Sequence, residues 1–196
     1  MFFFMYKKII VAGLAARPVR TTVSILAVAL EVILILVVVG LTAGISNETA
    51  KRTEGVGADI LFQPPNSSLL LALSNSTMPI ALSGKMLEIE GVQAVAPVQT
   101  QVNASSGLEV IYGIDIDKFN EVSGGFIWHK GRPFSAPDEV IVDDIYAHAR
   151  NVDVGDPVKL LNHTFKIAGI VEHGKGARLF IPLKTAEGMT GAVNRV

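Results

Sequence analysis

The sequence contains no cysteine among its 196 residues. A disulfide framework is therefore excluded, and an exported domain of this chain must be stabilised by a packed core. Basic and acidic residues nearly cancel, which gives a net charge of −1. Because no basic stripe is present, nucleic acid is not an expected partner. The segment Gly55-Val56-Gly57 lacks the Lys-Ser/Thr pair of a phosphate loop, so we expect no nucleotide or other cofactor.

Signatures of catalysis and of metal binding are also missing from the sequence. No G-x-S-x-G motif occurs, and the histidines lack metal-ligand spacing. We expect surface or loop positions for all four of them, namely His129, His148, His163 and His173. Asp115-Ile116-Asp117 is interpreted as turn chemistry, and Asp143-Asp144 as a helix cap rather than a catalytic pair. We therefore predict no enzymatic activity and name no catalytic, cofactor-binding or metal-binding residue.

One long apolar run is present, over residues 22–43, and Glu31 is its single charged residue. A helix of that length extends about 33 Å, enough to cross a hydrocarbon core of about 30 Å. Residues 23–43 include fourteen Val, Ile and Leu. They favour insertion by roughly 6 kcal/mol, against a cost of about 3 kcal/mol for one acidic residue near the centre. The sequence therefore predicts an uncleaved transmembrane helix over residues 21–45.

The orientation of this helix follows from the charges that precede it. Residues 1–20 contain Lys7, Lys8, Arg17 and Arg20 and no acidic residue, which places them on the cytoplasmic side. Everything after about residue 45 is then exported, to the periplasm or the extracellular space. Residues 1–18 are too short to span a membrane, and we expect an amphipathic segment lying on the cytoplasmic leaflet. A disordered apolar tail is the alternative.

Glu31 is the one candidate functional residue that this reasoning identifies. An ionisable group at mid-membrane usually faces protein or water rather than lipid. We therefore expect Glu31 to contact a neighbouring helix. The alternative is that it tolerates its depth in a very apolar helix without any specific role.

The exported part reads as α+β, with more strand than helix. Residues 66–82 are expected to form a loop around the apolar cluster 69–73, and residues 119–138 a second loop. Helices are predicted over residues 83–90, capped by Ser83 and stopped by Gly91, and over 144–150 and 183–189. Strands are predicted over residues 58–63, 108–114, 139–142 and 178–181, with an extended segment over 92–102 and a hairpin formed by 157–161 and 164–171.

The order of these pieces resembles a known family. RPVRTTVSILAVAL leads into the membrane helix, and GVGADILFQP, EGVQAVAPV and LEVIYGID follow. Then come KGRPFSAPDEVIVDDIYAHARNVDVGDPVKL, HTFKIAGIVEHG and FIPLKTAEGMTG. The chain is similar to the first membrane helix and periplasmic core domain of MacB-like, FtsX-type ABC transporter permeases, a group that includes the lipoprotein-releasing LolC/LolE type.

The resemblance implies an α+β fold in which residues 46–196 form a MacB-like periplasmic core domain that is incomplete at its C-terminus. It also implies a permease homo- or heterodimer in the bacterial inner membrane, a cytoplasmic ABC ATPase subunit as partner and a periplasmic adaptor. Such a permease uses ATP hydrolysis for export or other work in the envelope, and it has no catalytic residue of its own. The family continues through three more membrane helices. The alternative is a free-standing, membrane-anchored periplasmic binding module without transport activity.

Overall fold

The computed structural model describes residues 16–64, 77–103, 109–191 and 194–196. The chain divides into two compact units, Met1–Glu48 and Thr49–Val196. Most of the expected leaflet segment (residues 1–15) and the apolar cluster 69–73 lie outside the described residues.

The first helix, α1 (Pro18–Gly55), contains the apolar run. Proline is well tolerated at the first helical position because its missing N–H needs no partner there. The part from Pro18 to Arg52 is long and apolar enough to cross a membrane, and its most apolar window is entirely exposed. The predicted span 21–45 lies inside this helix, but its boundaries in a bilayer stay a prediction. The helix continues in polar sequence and ends before Gly57, whose φ of 77° is not helical.

The unit Thr49–Val196 contains the remaining elements, whose bounds follow in chain order. They are α2 (Ala81–Leu87), β1 (Val98–Asn103), β2 (Glu109–Ile114), α3 (Ile116–Ser123), β3 (Trp128–Gly131), β4 (Glu139–Asp143), α4 (Asp144–Arg150), β5 (Pro157–Leu160), β6 (His163–Val171), β7 (Leu179–Pro182) and α5 (Leu183–Thr190). The strand-rich α+β class expected from the sequence is confirmed.

The seven strands form one mixed sheet in the order β1-β2-β7-β4-β6-β3, and β5 also pairs with β6. Neighbours run parallel in β2/β7 and β4/β6 and antiparallel in the other pairs. The nine residues of β6 pair with three strands. Besides β4, the strand β5 pairs with the first half of β6, and β3 pairs with its last residues. One edge of the sheet is therefore β1, and the other is shared by β3 and β5.

Both faces of this sheet are covered. Along β7, Leu179 and Ile181 pack with α4 and α5 on one face, while Phe180 packs on the other face. There Phe180 contacts Phe126, with ring centroids 4.9 Å apart, and Phe119 of α3. Strands buried on both sides carry consecutive apolar residues instead of an alternating pattern. This explains why the buried apolar residues of β2 do not lie on a single face: Ile111 is fully buried on the face opposite Ile114.

Two predictions that rest on local signals are confirmed. The helix predicted over residues 144–150 has those bounds. The hairpin of β5 and β6 is also present, although its turn residues are Leu161 and Asn162 rather than Asn162 and His163. Both have positive φ, 49° and 64°, as the tight turns that match strand twist require.

The strand predicted over residues 58–63 is wrong, because the structure has no strand in this segment. Its apolar composition satisfies the local requirement for a strand, but no described strand lies beside it to pair with. In place of the helix predicted over residues 83–90, the structure has α2, which begins at Ala81 and ends at Leu87. Ser83 therefore does not cap this helix. The Ser83 hydroxyl lies inside the helix and donates to the carbonyl oxygen of Ile80 at 2.6 Å. Gly91 lies beyond the end of α2 at Leu87.

The loop predicted over residues 119–138 is also wrong, since it contains most of α3 and all of β3. Asp115 is the N-cap of α3, with its side chain accepting a hydrogen bond from the Lys118 backbone N–H at 3.4 Å. Burial of Phe119 against Phe126 and Phe180 then holds the helix on the sheet. Gly124 ends it in the left-handed conformation.

A charged clamp stabilises the entry to β4. The Arg132 guanidinium donates to both carboxylate oxygens of Glu139, at 3.0 and 2.6 Å. The backbone N–H groups of Ser135 and Ala136 donate to the same carboxylate at 2.7 and 3.2 Å. The Arg132 hydrogen bond, helped by these N–H groups, lowers the pKa of Glu139 to about 2. The loop that leads into the sheet is thus fixed by one ionised side chain.

Replacement of Glu139 by glutamine should destabilise the chain at pH 7. A carboxyl group whose pKa is lowered by folding contributes its full stabilisation at pH values above its ordinary pKa. This contribution is lost as the pH falls towards 2. We expect Glu139→Gln to reduce the free energy of unfolding by about 1–2 kcal/mol. The loss is limited because Arg132 is exposed and water screens the ion pair. Urea denaturation of the full chain in detergent at pH 7 and near pH 2 would measure this. Asp153→Asn, which removes the exposed Lys130–Asp153 pair, is the control and should have almost no effect.

Candidate functional site: the seat of the helix end

The last residues of α1 contact the loop that joins β6 to β7. We call this contact the helix seat; it comprises residues 52–57, the β6–β7 loop (residues 172–178) and Ser123. All of these residues belong to the unit Thr49–Val196. Val56 is buried there, and its side chain lies beside Gly176.

The helix seat is built from two Gly-x-Gly segments, 55–57 and 174–176. A Cβ atom at Gly55 would overlap the backbone carbonyl of Gly174. At Gly176, which has a φ of 88°, a Cβ would lie 2.6 Å from the Tyr112 ring and 2.9 Å from Val56. Glycine permits this approach because it has no side chain and tolerates positive φ. Gly55 and Gly174 therefore meet through main-chain atoms, and Gly176 leaves room for the side chains of Val56 and Tyr112.

Hydrogen bonds fix the loop side of the seat. Lys175 Nζ donates to the Ser123 carbonyl oxygen at 2.6 Å, at the end of α3. The backbone N–H of His173 donates to Asp144 Oδ1 at 3.0 Å, and His173 Nδ1 lies 3.0 Å from the same oxygen. Partial burial raises the pKa of Asp144, but the hydrogen bonds and charge of His173 outweigh this effect and leave the pKa below its usual value. The loop is thus attached to α3 on one side and to α4 on the other.

A buried carboxyl group lies behind the loop. Asp143 is almost fully buried and caps α4, with its Oδ1 accepting from the Tyr146 backbone N–H at 2.6 Å. Arg178 Nε lies 3.9 Å from Asp143 Oδ2, and the Asp143 N–H donates to the Arg178 carbonyl oxygen at 2.9 Å. Desolvation raises the pKa of Asp143, although the hydrogen bond from the Tyr146 backbone N–H and the charges of Arg178 and Arg52 lower it. The Asp143-Asp144 pair therefore serves in capping and in loop attachment, which confirms the capping interpretation.

The residues singled out from the sequence do not meet at one place. Glu31 lies in the part of α1 that belongs to the other unit, its side chain is exposed, and its role as a helix contact stays a prediction. Nε2 of His163 lies 3.0 Å from Asp138, His173 pairs with Asp144, and His129 and His148 are exposed. Within the described ranges, no three His, Cys, Asp or Glu side chains are grouped as a metal site would need.

Sequence reasoning missed the helix seat. Gly55-Val56-Gly57 was interpreted only as an incomplete phosphate loop, and Gly174-Lys175-Gly176 received no interpretation. Paired glycines that flank one residue can signal a close backbone approach. The available signal was therefore the repetition of Gly-x-Gly, but nothing in the sequence states that the two copies meet.

Glycine at position 55 should be essential for the helix seat. An alanine in a helix normally stabilises by about 0.5–1 kcal/mol relative to glycine. At Gly55 the added methyl group would collide with the Gly174 carbonyl, so we expect Gly55→Ala to destabilise the unit instead. Gly188→Ala in α5, where the added methyl group has open space, is the matched control and should stabilise. Urea denaturation of the full chain would measure the change in the free energy of unfolding for each variant. Changes of opposite sign would confirm the backbone contact, and equal stabilisation by both substitutions would contradict it.

The Asp143 cap can be separated from its charge by two substitutions. Because its pKa is raised, ionised Asp143 costs stability at pH 7, and this cost disappears as the group is protonated at low pH. Asp143→Asn keeps an acceptor for the Tyr146 N–H without the charge, and we expect stability equal to or above the parent at pH 7. Asp143→Ala removes the acceptor and should cost about 1 kcal/mol. Thermal unfolding of the parent and both variants, at pH 7 and at low pH, would test this. An equal loss of stability in the two variants would contradict it.

Two solved structures are similar to this chain, and the first of them shows a common fold. The periplasmic region of MacB from Actinobacillus actinomycetemcomitans superposes with a TM-score of 0.50 and 19% identity, covering 61% of this chain and 61% of that one. The extracellular domain of the noncanonic ABC-type transporter YknZ from Gram-positive bacteria has a TM-score of 0.49 and 15% identity, covering 69% of this chain and 76% of that one. At these identities the likeness to MacB shows the fold alone.

Among curated proteins, the peroxisomal aminoaldehyde dehydrogenase 1 of Malus domestica is 24% identical over 159 residues. That alignment covers 76% of this chain, and the chain spans 30% of the length of that relative. The family model for the MacB-like periplasmic core domain matches residues 21–195, nearly the whole chain. The chain therefore belongs to the MacB-like periplasmic core domain family, and its first helix is long and apolar enough to cross a membrane.

Proposed function

We propose that the chain is the N-terminal part of an ABC transporter permease subunit. Its periplasmic domain couples ATP hydrolysis by a cytoplasmic partner ATPase to export or to other work in the envelope. The observation that carries this proposal is the family match over residues 21–195, which includes both the apolar helix and the domain. The alternative is a free-standing, membrane-anchored periplasmic binding module.

The proposed topology places the N-terminus in the cytoplasm and the residues after about 45 in the periplasm, with α1 crossing the bacterial inner membrane. The positive charges before the helix support this orientation. The lone Glu31 supports a permease dimer or another multi-helix assembly, because a carboxyl group in lipid is stabilised by a neighbouring helix. Kinship with the lipoprotein-releasing type, a periplasmic adaptor and the substrate belong to the same proposal.

The helix seat gives this proposal a mechanical basis. Main-chain contact between Gly55 and Gly174 joins the helix end to the β6–β7 loop with no side chain between these two residues. That loop continues directly into β6 and β7, which lie in the middle of the sheet. A displacement of the helix end would therefore reach the sheet without first being absorbed by side-chain rotation.

The role proposed for the chain is not enzymatic. Its alignment with a dehydrogenase covers less than a third of that protein, and these 196 residues contain no cysteine, the nucleophile of thiol-dependent dehydrogenases. At the helix seat, the side chains of Lys175 and His173 bind main-chain and carboxylate oxygens and so hold the backbone in place.

The proposal predicts that the tagged full chain, purified from bacterial membranes, retains an ABC ATPase. We expect Gly55→Ala to capture the same amount of ATPase but to change its ATP turnover, because the substitution alters the seat and leaves the cytoplasmic residues untouched. Gly188→Ala is the control and should change neither quantity. Capture without a change in turnover would contradict coupling through the seat, and the absence of any captured ATPase would favour the free-standing module.

A further inference from the structure

The two edges of the sheet differ in their protection against pairing with another chain. At the edge formed by β3 and β5, both strands have only four residues, and the register of β3 shifts between Trp128 and Lys130. Lys130, Pro157 and Lys159 also lie along this edge. Short strands, irregular register, lysine and proline are the usual devices that block strand addition.

β1 has none of these devices. Its sequence, VQTQVN, contains no charge and no proline, and its six residues pair with β2 in uninterrupted register. Residues 98–102 have no strand partner on their outer side among the described parts of the chain. An uncharged edge strand of this length in regular register is a template on which another strand can form.

One buried polar atom at this edge also lacks a partner. Gln99 is 3% exposed, and its Nε2 donates to Thr190 Oγ1 of α5 at 2.7 Å. Its Oε1 is buried and accepts no hydrogen bond from any described residue. An unsatisfied buried acceptor costs free energy, so this part of β1 has an unmet hydrogen-bonding demand.

The same unit contains a segment with the composition of a strand but without strand pairing. Residues 58–62, ADILF, follow the helix seat directly and adopt no helix or strand. Ile60 is 83% exposed and Phe62 is 61% exposed, although both residue types favour sheets. In an extended segment these two side chains point to the same face.

We propose that residues 58–62 of a second copy of this chain add to the outer edge of β1 as an antiparallel strand. Ile60 and Phe62 would then lie on the sheet face where Val98 packs against the cluster that contains Phe119 and Phe180. The same contact repeated in the opposite direction gives a two-fold symmetric dimer. This inference does not depend on ATPase coupling, since it uses only the edge and the segment.

The size of the contact is adequate for a dimer. Two reciprocal strand additions would bury two copies of Ile60, Leu61 and Phe62, in which each phenylalanine alone carries about 150–250 Å². Together with ten residues of paired backbone and the matching edges, this approaches the lower end of the range of about 1,200–2,000 Å² for specific interfaces. The edge itself is neutral, so no like charges meet along it.

Crosslinking between differently tagged full chains tests the proposal, and the absence of native cysteine gives a clean background. One chain carries Ile60→Cys alone, the other carries Thr100→Cys alone, and both are co-expressed in bacterial membranes and treated with a short bismaleimide. We expect a product that contains both tags. The pair Ile60→Cys and Lys159→Cys, which joins the same segment to the protected edge, should give none. A product that forms only when both cysteines are in one chain would overturn the proposal, because it indicates pairing within a single copy.

A second pair of variants separates loss of the contact from loss of the fold. Thr100 is exposed, so Thr100→Lys should leave the unit folded while it places a charge on the edge, as lysine does on the opposite edge. We expect Thr100→Lys to shift the full chain in detergent from dimer to monomer by light scattering, and Thr100→Val to leave the dimer intact. A parent chain that is monomeric in detergent and gives no mixed crosslink in membranes would overturn the proposal. Its failure would leave ATPase capture, and therefore the proposed function, unaffected.

Discussion

Main-chain contact between Gly55 and Gly174 determines how the rest of the domain is built around the end of α1. A side-chain contact can slide or repack when one partner moves, but two backbones in van der Waals contact have no such freedom. The β6–β7 loop must therefore hold one position, and Lys175 and the His173–Asp144 pair attach it to α3 and α4. The buried Asp143 is part of the same arrangement, since its backbone N–H binds the end of the loop. A costly buried carboxyl group is thus retained where it caps a helix and fixes the loop at once.

Much of the fold could be predicted wherever local chemistry determines it. The helix Asp144–Arg150 has its own cap and its own left-handed stop at Asn151, and the β5–β6 hairpin has a tight turn. The failures have long-range causes. Residues 58–62 have the composition of a strand, but strand formation needs a neighbour, and the structure places none beside them. The helix Ile116–Ser123 was missed because Asp115 can open either a turn or a helix, and burial of Phe119 decides between the two.

The candidate site was less predictable than the fold. Capping by Asp143 could be inferred because an N-cap is a local motif. The helix seat could not be inferred, because it joins two segments that are distant in sequence and whose shared feature is the lack of a side chain at their glycines. Glycine in a sequence indicates that space or positive φ is needed but does not say which partner approaches. Glu31 presents the opposite case: its chemistry is evident from the sequence, while its partner would belong to another helix.

The two-sided core also restricts where this domain can bind another protein. Helices and aromatic side chains cover both faces at the centre of the sheet, so the described residues there leave no free face for a partner. Edges and loops remain, and the β3/β5 edge is blocked by lysine, proline and irregular register. The β1 edge is thus the part of the sheet best suited to a partner strand. The segment proposed to fill it begins immediately after Gly57, at the helix seat. A partner that binds residues 58–62 would therefore apply force directly to the helix seat. Assembly of two copies and the position of the helix end would then be physically linked.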